Sequence, residues 1–321
     1  MDKTELNTAF RNQAEMLANR VRKRRNHLRK RFAKQGIEVF RLYDWDIPEI
    51  RAVVDWYAGH LVIGEYTRMQ SAPEWLPMMG EAVAKALDVP MENLHLKERM
   101  AGKQDGKRYE RFDYTDKKII VSERDLKFSV NLSDFVDTGL FSDHRNTRQM
   151  VRELSAGKDF LNLYCYTGTF TCYAAKGGAG STVSVDRSET VIRWAKENFD
   201  LNGIPEKGNT LMHADAFDFL RKAKRQNKTF DLALVDPPSY SSTRSREEEF
   251  DIVTDHPLLL ETVVSLMKKG GIIFFSANHQ NFEPQMSHLT VGEIKEITQL
   301  TIPEDYVSKK KQIHRCWKIT V

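Results

Sequence analysis

The spacing of apolar and polar positions changes twice along the chain. Up to residue 34 apolar side chains are sparse and recur at about helical spacing, at Met16, Leu17, Val21, Leu28 and Phe32. One face of such a helix can dock while the rest stays wet, and Gly36 supplies a stop. From residue 37 to 131 the pattern turns to short strand-like runs at 39–43, 60–66, 118–121 and 126–130, with one helical stretch at 74–87 and a polar, glycine-containing loop at 102–107. Beyond residue 155 the runs become regular: 159–163, 181–185, 209–213, 230–235 and 271–276 read as strands, with helical stretches between them. The clearest helix covers 188–201, with Val191, Ile192, Ala195 and Phe199 on one side. Strands alternating with helices predict a parallel, doubly wound α/β sheet, which binds ligands beyond the carboxyl ends of its strands.

A length of 321 residues suits about two domains. The pattern divides them as a basic helix at 1–36, a small α+β domain at 37–135 and the α/β domain at 136–321. Apolar residues at 40% and charged residues at 29% exclude a disordered or collagen-like chain. No run approaches the ~18 apolar residues of a membrane helix. The start, Met1-Asp2-Lys3-Thr4-Glu5, lacks a secretory core, so a cytoplasmic protein with no membrane partner is expected. Cys165, Cys172 and Cys316 are odd in number and match no zinc spacing, so neither disulfides nor a metal is expected.

The net charge of +4 hides an asymmetry. Residues 1–36 carry eleven Lys/Arg against three Asp/Glu, a net +8, which leaves −4 for the rest. No acid occurs between Glu15 and Glu38 to form i,i+4 pairs. Arg20, Arg22, Lys23, Arg24, Arg25, Arg29, Lys30 and Arg31 are therefore candidates for contact with nucleic-acid phosphates. A solvated helix whose charge serves solubility is the plainer alternative, and a membrane surface the lesser one. In the middle segment Trp45, Trp56 and Tyr57 are expected in the core rather than stacked on bases.

The residues after each strand of the α/β half carry the candidate chemistry. The first strand leads into Tyr164-Cys165-Tyr166-Thr167-Gly168, the second ends at Asp186-Arg187, the third is followed by Asp215-Ala216, and the fourth by Asp236-Pro237-Pro238-Ser239-Tyr240. An acid eighteen residues beyond Gly168 suits the two hydroxyls of a ribose. A dinucleotide loop needs three glycines so that backbone can approach a pyrophosphate, and here Gly168 stands alone. S-adenosylmethionine (SAM), which has an adenosine but no phosphate, fits better than NAD. Asp215 is placed to accept from the adenine amino group. Either Asp186 or Asp215 could instead cap the helix that follows it.

Asp236-Pro237-Pro238 makes a rigid, extended strand exit with an acid at its base. Methyltransferases acting on nucleic-acid nitrogens use a carboxylate and a proline carbonyl in this way to position the nucleophile, and stack an aromatic on its ring. The aromatic usually follows the prolines directly. In this chain Ser239 takes that place and Tyr240 comes next.

Several of these segments together resemble the RlmK-type 23S rRNA (guanine-N7)-methyltransferases, the C-terminal half of the bifunctional RlmKL enzymes. They are Asp137-Thr138-Gly139-Leu140-Phe141-Ser142-Asp143-His144-Arg145, Phe160 to Gly168, Val185-Asp186-Arg187-Ser188, Val235 to Ser241, and Gln312-Ile313-His314-Arg315-Cys316-Trp317. The resemblance runs over nearly the whole chain, including the basic helix. It implies a class I, Rossmann-like SAM-dependent methyltransferase domain behind a smaller α+β domain, with 23S rRNA or a ribosomal precursor as partner and 7-methylguanosine as product. It further implies that Asp143, His144 and Arg145 lie near the cofactor. The family's THUMP-containing half has no counterpart here.

Guanine N7 attacks through a lone pair and loses no proton, so no general base is required. Asp236 would hydrogen-bond the guanine edge or steady the developing cation. Cytosine-C5 or guanine-N2 methylation on the same scaffold, or a non-catalytic RNA-binding assembly factor, are the alternatives. A charged flap at 241–250 over the target base is also expected.

Overall fold

The computed structural model describes residues 3–67, 72–100, 111, 113–241, 250–279, 282–307 and 312–321. The loop expected at 102–107 and most of the flap expected at 241–250 lie outside these residues. The chain forms two compact units, Met1–Asp125 with Val130–Thr138 and Glu304–Lys310, and Leu126–Ser129 with Gly139–Pro303 and Lys311–Val321.

The first unit opens with helix α1 (Lys3–Lys34). Leu17, Val21, Leu28 and Phe32 fall on one side of it and are buried, as their spacing predicts. They pack with Phe40 and Leu42 of β1 (Val39–Asp44), Val54 of β2 (Ala52–Tyr57), Ile63 of β3 (His60–Thr67) and Met79 and Val83 of α2 (Trp75–Leu87). At roughly 1.5–3 kcal/mol for each large side chain removed from water, this face fixes the helix on the unit. So α1 is built into the core of the α+β unit rather than standing apart at 1–36. The helix ends where the amides of Gly36 and Ile37 turn back onto the carbonyls of Ala33 and Phe32.

Strands β1 to β3 and β4 (Leu94–Met100) form one sheet, with β3 and β4 parallel. Neither β2 nor β4 is legible as a strand in the sequence, because Asp55 in β2 and the charged stretch of β4 interrupt the apolar pattern. Asp55 is buried because Arg41 bonds both its oxygens, at 2.8 and 3.1 Å. Tyr57 is buried as expected, while Trp45 and Trp56 are half-buried beneath Arg51 and Arg25. Two further strands, β5 (Ile119–Glu123) and β6 (Leu126–Val130), complete this stretch.

The second unit holds a seven-stranded sheet. Its strands are β7 (Asp159–Leu163), β8 (Ser181–Asp186), β9 (Asn209–His213), β10 (Phe230–Val235), β13 (Met267–Ala277), β14 (Glu293–Glu296) and β15 (Arg315–Thr320). A short pair, β11 (Tyr240–Ser241) and β12 (Phe250–Asp251), lies apart. The sheet order is β14-β15-β13-β10-β7-β8-β9, with β15 antiparallel to its neighbours. Alternate residues serve opposite faces: Leu161, Leu163, Ala233, Val235, Ile273 and Phe275 pack in one core, and Phe160, Leu232, Leu234 and Phe274 in the other. Both faces are covered, which is why these strands read as continuous apolar runs. Helices α3 (Arg145–Leu154), α4 (Thr169–Lys176), α5 (Glu189–Leu201), α6 (Ala216–Arg225), α7 (Ile252–Val264) and the short α8 (Thr298–Thr301) belong to this unit. The strand order reverses between β7 and β10, the position where doubly wound sheets hold their ligands. Among the described residues no helix is long and apolar enough to cross a membrane.

Leu17→Ala is expected to destabilise the first unit by about 2–5 kcal/mol, as full burial of a leucine implies. Urea unfolding of the full chain followed by circular dichroism checks this, and a loss below about 1 kcal/mol would mean that α1 is only loosely docked.

Candidate active site

The strand ends converge by register. Val235 of β10 pairs with Leu163 of β7 and Phe275 of β13, and Leu163 pairs with Val185 of β8. Tyr164, Asp186, Asp236 and Ser276 therefore stand at one level, Asp186 and Ser276 still within their strands.

The loop after β7 is strained and tightly held. Tyr164 and Tyr166 have φ of 57° and 48°, a region that non-glycine residues rarely adopt. Asp186 fixes the loop: its Oδ2 accepts from the Tyr166 amide (3.0 Å) and its Oδ1 from the Ser188 amide (2.9 Å). Ser188 is the N-cap of α5 without a side-chain bond of its own, and Asp186 holds it in place through its amide. Burial pushes the Asp186 carboxyl above its ordinary value, against the two amides that favour the charge. The Thr167 hydroxyl donates to the Gly139 carbonyl (2.6 Å), and Asn198 of α5 donates to the Thr167 carbonyl (2.8 Å). Gly168 sits at φ +73°, and a Cβ there would lie 2.9 Å from that of Ala195. Gly139 is more confined still: at φ +100° its Cβ would lie 2.3 Å from the Trp194 ring.

Asp215 is exposed and caps α6, its Oδ1 accepting from the amides of Phe217 (2.8 Å) and Asp218 (3.2 Å). The capping alternative is thus realised, and any reading of adenine falls to Oδ2. Ala216 is buried behind it. The Arg187 carbonyl accepts from His213 Nε2, which fixes the tautomer of that ring.

On the other side of the switch point, Ser276 Oγ donates to Asp236 Oδ1, and His144 Nε2 lies 3.7 Å from Asp236 Oδ2. Pro237 is buried, Pro238 half-buried, and Ser239 Oγ donates to Asn278 Oδ1 (2.6 Å). Tyr240 enters β11, where it pairs with Asp251 of β12. The segment before α3 therefore reaches the same rim, with His144 Nε2 also 3.7 Å from Asp143 Oδ2. Arg145 is buried in the first turn of α3, and Arg148, one turn on, holds the Phe141 carbonyl (2.9 Å). His144 is buried against Phe170 and His314, and burial followed by the His314 ring lowers its basicity.

Sequence patterns leave Ser276, Asn278, Thr301 and His314 without roles. Ser276 is the penultimate residue of the fifth strand, where the positional reasoning that applies to the first four strand ends reaches it too. His314 is legible only as part of a motif.

Asp143, His144 and His314 are ligand types that can hold a metal and lie close together. Their arrangement does not favour one. The two imidazoles stack with planes 10° apart and centroids 4.3 Å apart, so their in-plane lone pairs run side by side instead of meeting at one ion. All three cysteines are buried with thiols pushed up by burial, which removes the thiolate that cytosine-C5 transfer would need.

The rim fits an adenosine ligand without phosphates. It offers a one-glycine loop, the carboxylate of Asp186, and a buried His144 Nδ1 that no group among the described residues bonds.

The basic helix divides into two sets. Arg20 pairs with Asp46, Arg24 donates to the Glu304 carbonyl, Arg31 pairs with the Glu304 carboxylate, and Arg25 lies 4.4 Å over the Trp56 ring. These acids come from distant sequence, so their absence within the helix does not leave every cation unpaired. Arg22, Lys23, Arg29 and Lys30 are exposed and make no ion pair among the described residues.

Comparison with known proteins gives a consistent picture. The profile of S-adenosylmethionine-dependent methyltransferases matches residues 113–304. The ribosomal RNA large subunit methyltransferase K of Neisseria meningitidis serogroup B is 41% identical over 309 residues, covering 94% of this chain and 86% of its own. Among solved structures, SMU.776, assigned as a methyltransferase and complexed with SAH, superposes with a TM-score of 0.75 at 22% identity, over 97% of this chain and 82% of its own. The SAM-dependent methyltransferase of Agrobacterium tumefaciens gives a TM-score of 0.56 at 18% identity, over 77% and 74%. The two structures speak to the fold.

Gly139→Ala is expected to displace Trp194 and with it the bond from Trp194 Nε1 to the Ser129 carbonyl. Combined with the unfavourable φ, this should cost about 1–3 kcal/mol and shift the tryptophan emission to the red. Fluorescence-detected thermal unfolding measures both, and an unchanged spectrum and midpoint would contradict the close approach.

Proposed function

We propose that this chain, which belongs to the S-adenosylmethionine-dependent methyltransferase family, transfers a methyl group to N7 of a guanine in 23S rRNA. Its cofactor is SAM. The observation that carries the nucleophile assignment is the fixed carboxylate of Asp236 at the switch point, beside a proline-rich exit. Similarity to an enzyme named for the large-subunit ribosomal RNA supports the substrate class.

In this reading Tyr166, Thr167 and Gly168 line the cofactor, Asp186 accepts from its ribose, Arg187, Asp215 and Ala216 flank its adenine, and Asp143, His144 and Arg145 border its other end. The sulfonium supplies an activated methyl group. The protein's part is to bring N7 into line with that methyl and to keep water out, and orientation of this kind supplies at best roughly 7–11 kcal/mol of barrier lowering. N7 carries no proton, so Asp236 takes none. Its carboxylate, pinned through Oδ1 by Ser276, presents Oδ2 to the guanine edge and offsets the positive charge the ring acquires. Pro237 and Pro238 keep the strand exit extended, and Tyr240 stacks on the base. Methylation at guanine N2 would use the same groups but require loss of a proton, and the product distinguishes the two.

Asp236→Ala should lower the methylation rate on 23S rRNA at least a hundredfold, about 2.7 kcal/mol or more, and change SAM affinity less than threefold. Single-turnover kinetics with nucleoside analysis reads the rate and the product, and calorimetry reads the affinity. Equal losses in both would make Asp236 a cofactor ligand, and N2-methylguanosine as product would replace the N7 assignment.

The exposed row of α1 is proposed as the RNA-binding surface. Replacing Arg22, Lys23, Arg29 and Lys30 by glutamine should weaken rRNA binding and flatten its dependence on salt, by roughly one unit of log–log slope for each phosphate left unneutralised. The matching replacement of Arg20, Arg24, Arg25 and Arg31 should flatten it less. Filter binding across a salt series compares the sets, and identical slopes would show that ion pairing within the protein does not sort these cations.

A further inference from the structure

The cluster behind Asp236 contains one residue that the proposed chemistry does not use. His314 precedes β15 and its side chain is fully buried. Its Nδ1 lies 3.1 Å from Asp143 Oδ2 and its Nε2 lies 3.1 Å from the hydroxyl of Thr301, itself buried at the end of α8. The ring stacks on His144 with centroids 4.3 Å apart. His144 Nε2 in turn stands 3.7 Å from Asp143 Oδ2 and 3.7 Å from Asp236 Oδ2.

Hydrogen-bond polarity gives this arrangement a direction. An ionised carboxylate only accepts, so the His314 nitrogen facing Asp143 carries hydrogen. The other nitrogen is occupied by Thr301, which fixes the plane of the ring and aims its donor. Asp143 lies in a three-residue turn, Ser142–His144. The bond from the rigid entrance to β15 gives its Oδ2 a fixed direction. The same ring serves as the shelf that holds His144 toward Asp236.

We propose that His314 is a positioning residue of the methyl-transfer site, aiming the Asp143 carboxylate through its Nδ1–H. This rests on the reading that Asp143 borders the cofactor. Asparagine at 314 keeps a donor near the Nδ1 position, glutamine keeps a polar atom near Nε2 without that donor, and phenylalanine keeps only the stacking ring.

The test is calorimetric titration of SAM into the full-length protein, well below the thermal midpoint of each variant. Asp143→Asn should weaken SAM binding tenfold or more. His314→Phe and His314→Gln should weaken it to a similar extent, while His314→Asn stays within threefold of the unmodified chain. Adding His314→Phe to Asp143→Asn should produce no further loss, because both remove the same bond. Wild-type affinity in the Phe and Gln variants, with Asp143→Asn still impaired, would overturn the positioning role and leave the cofactor reading standing. Equal losses in all three His314 variants would also overturn it, since ring volume alone would then matter. Unimpaired binding by Asp143→Asn would overturn the cofactor reading of Asp143, and the positioning role with it.

Discussion

The site depends on the register of four parallel strands. Backbone hydrogen bonding places Val235 against both Leu163 and Phe275, and Leu163 against Val185, so that Tyr164, Asp186, Asp236 and Ser276 stand at a common height. A slip of one residue would turn Leu163, Val235 and Phe275 to the opposite face of the sheet. Their burial in a shared core forbids that slip. The apolar alternation therefore does more than hold the sheet together. It fixes where Asp186 and Asp236 stand, and chemistry that depends on aligning two bound molecules tolerates little error in such positions.

That constraint explains what the sequence reveals. A strand buried on both faces must be largely apolar, so β7, β10 and β13 stand out, and with them the residues at their ends. Strand β9, at the sheet edge and only partly buried, is marked by its place in the strand–helix alternation. The strand-end acids are legible because the rule linking strand termini to ligands is positional. Ser276, one residue before the end of the fifth strand, is marked by its position, but it carries no charge to mark it by residue type. The register that pairs Val235 with Phe275 makes it the neighbour of Asp236. In the first unit the pattern is less legible for a physical reason. Asp55 lies within β2, and its burial is balanced by Arg41, a partner fourteen residues away. No local pattern shows that a buried charge is compensated elsewhere in the chain.

The basic helix makes the same point from the opposite side. Its composition announces an unpaired positive surface, because no acid lies within reach along the helix. Tertiary structure brings Asp46 and Glu304 to it and changes half of that surface into internal contacts. Exposed pairs of this sort contribute little to stability, about 0–1 kcal/mol each, so their consequence is geometric. They restrict the available cations to a narrower row formed by Arg22, Lys23, Arg29 and Lys30. The apolar face on the other side of α1 holds that row in a fixed orientation on the first unit.

Three of the acids on the rim are held in different ways, and the difference follows from what each must do. Asp186 gives one acceptor position on each oxygen to a backbone amide, which secures the loop carrying Tyr166 to Gly168 and leaves the remaining lone pairs for a ligand. Asp215 lies in water and uses a single oxygen to cap a helix, so its placement owes more to α6 than to the rim. Among the described residues Asp236 is held by one hydroxyl, and its second oxygen faces a histidine beyond bonding distance. A carboxylate with a fixed direction and an uncommitted oxygen suits a group whose partner arrives only with the substrate. With the role proposed for Asp236, bonding as full as that of Asp186 would oblige the substrate to displace protein donors first, and the binding energy available for alignment would be reduced accordingly.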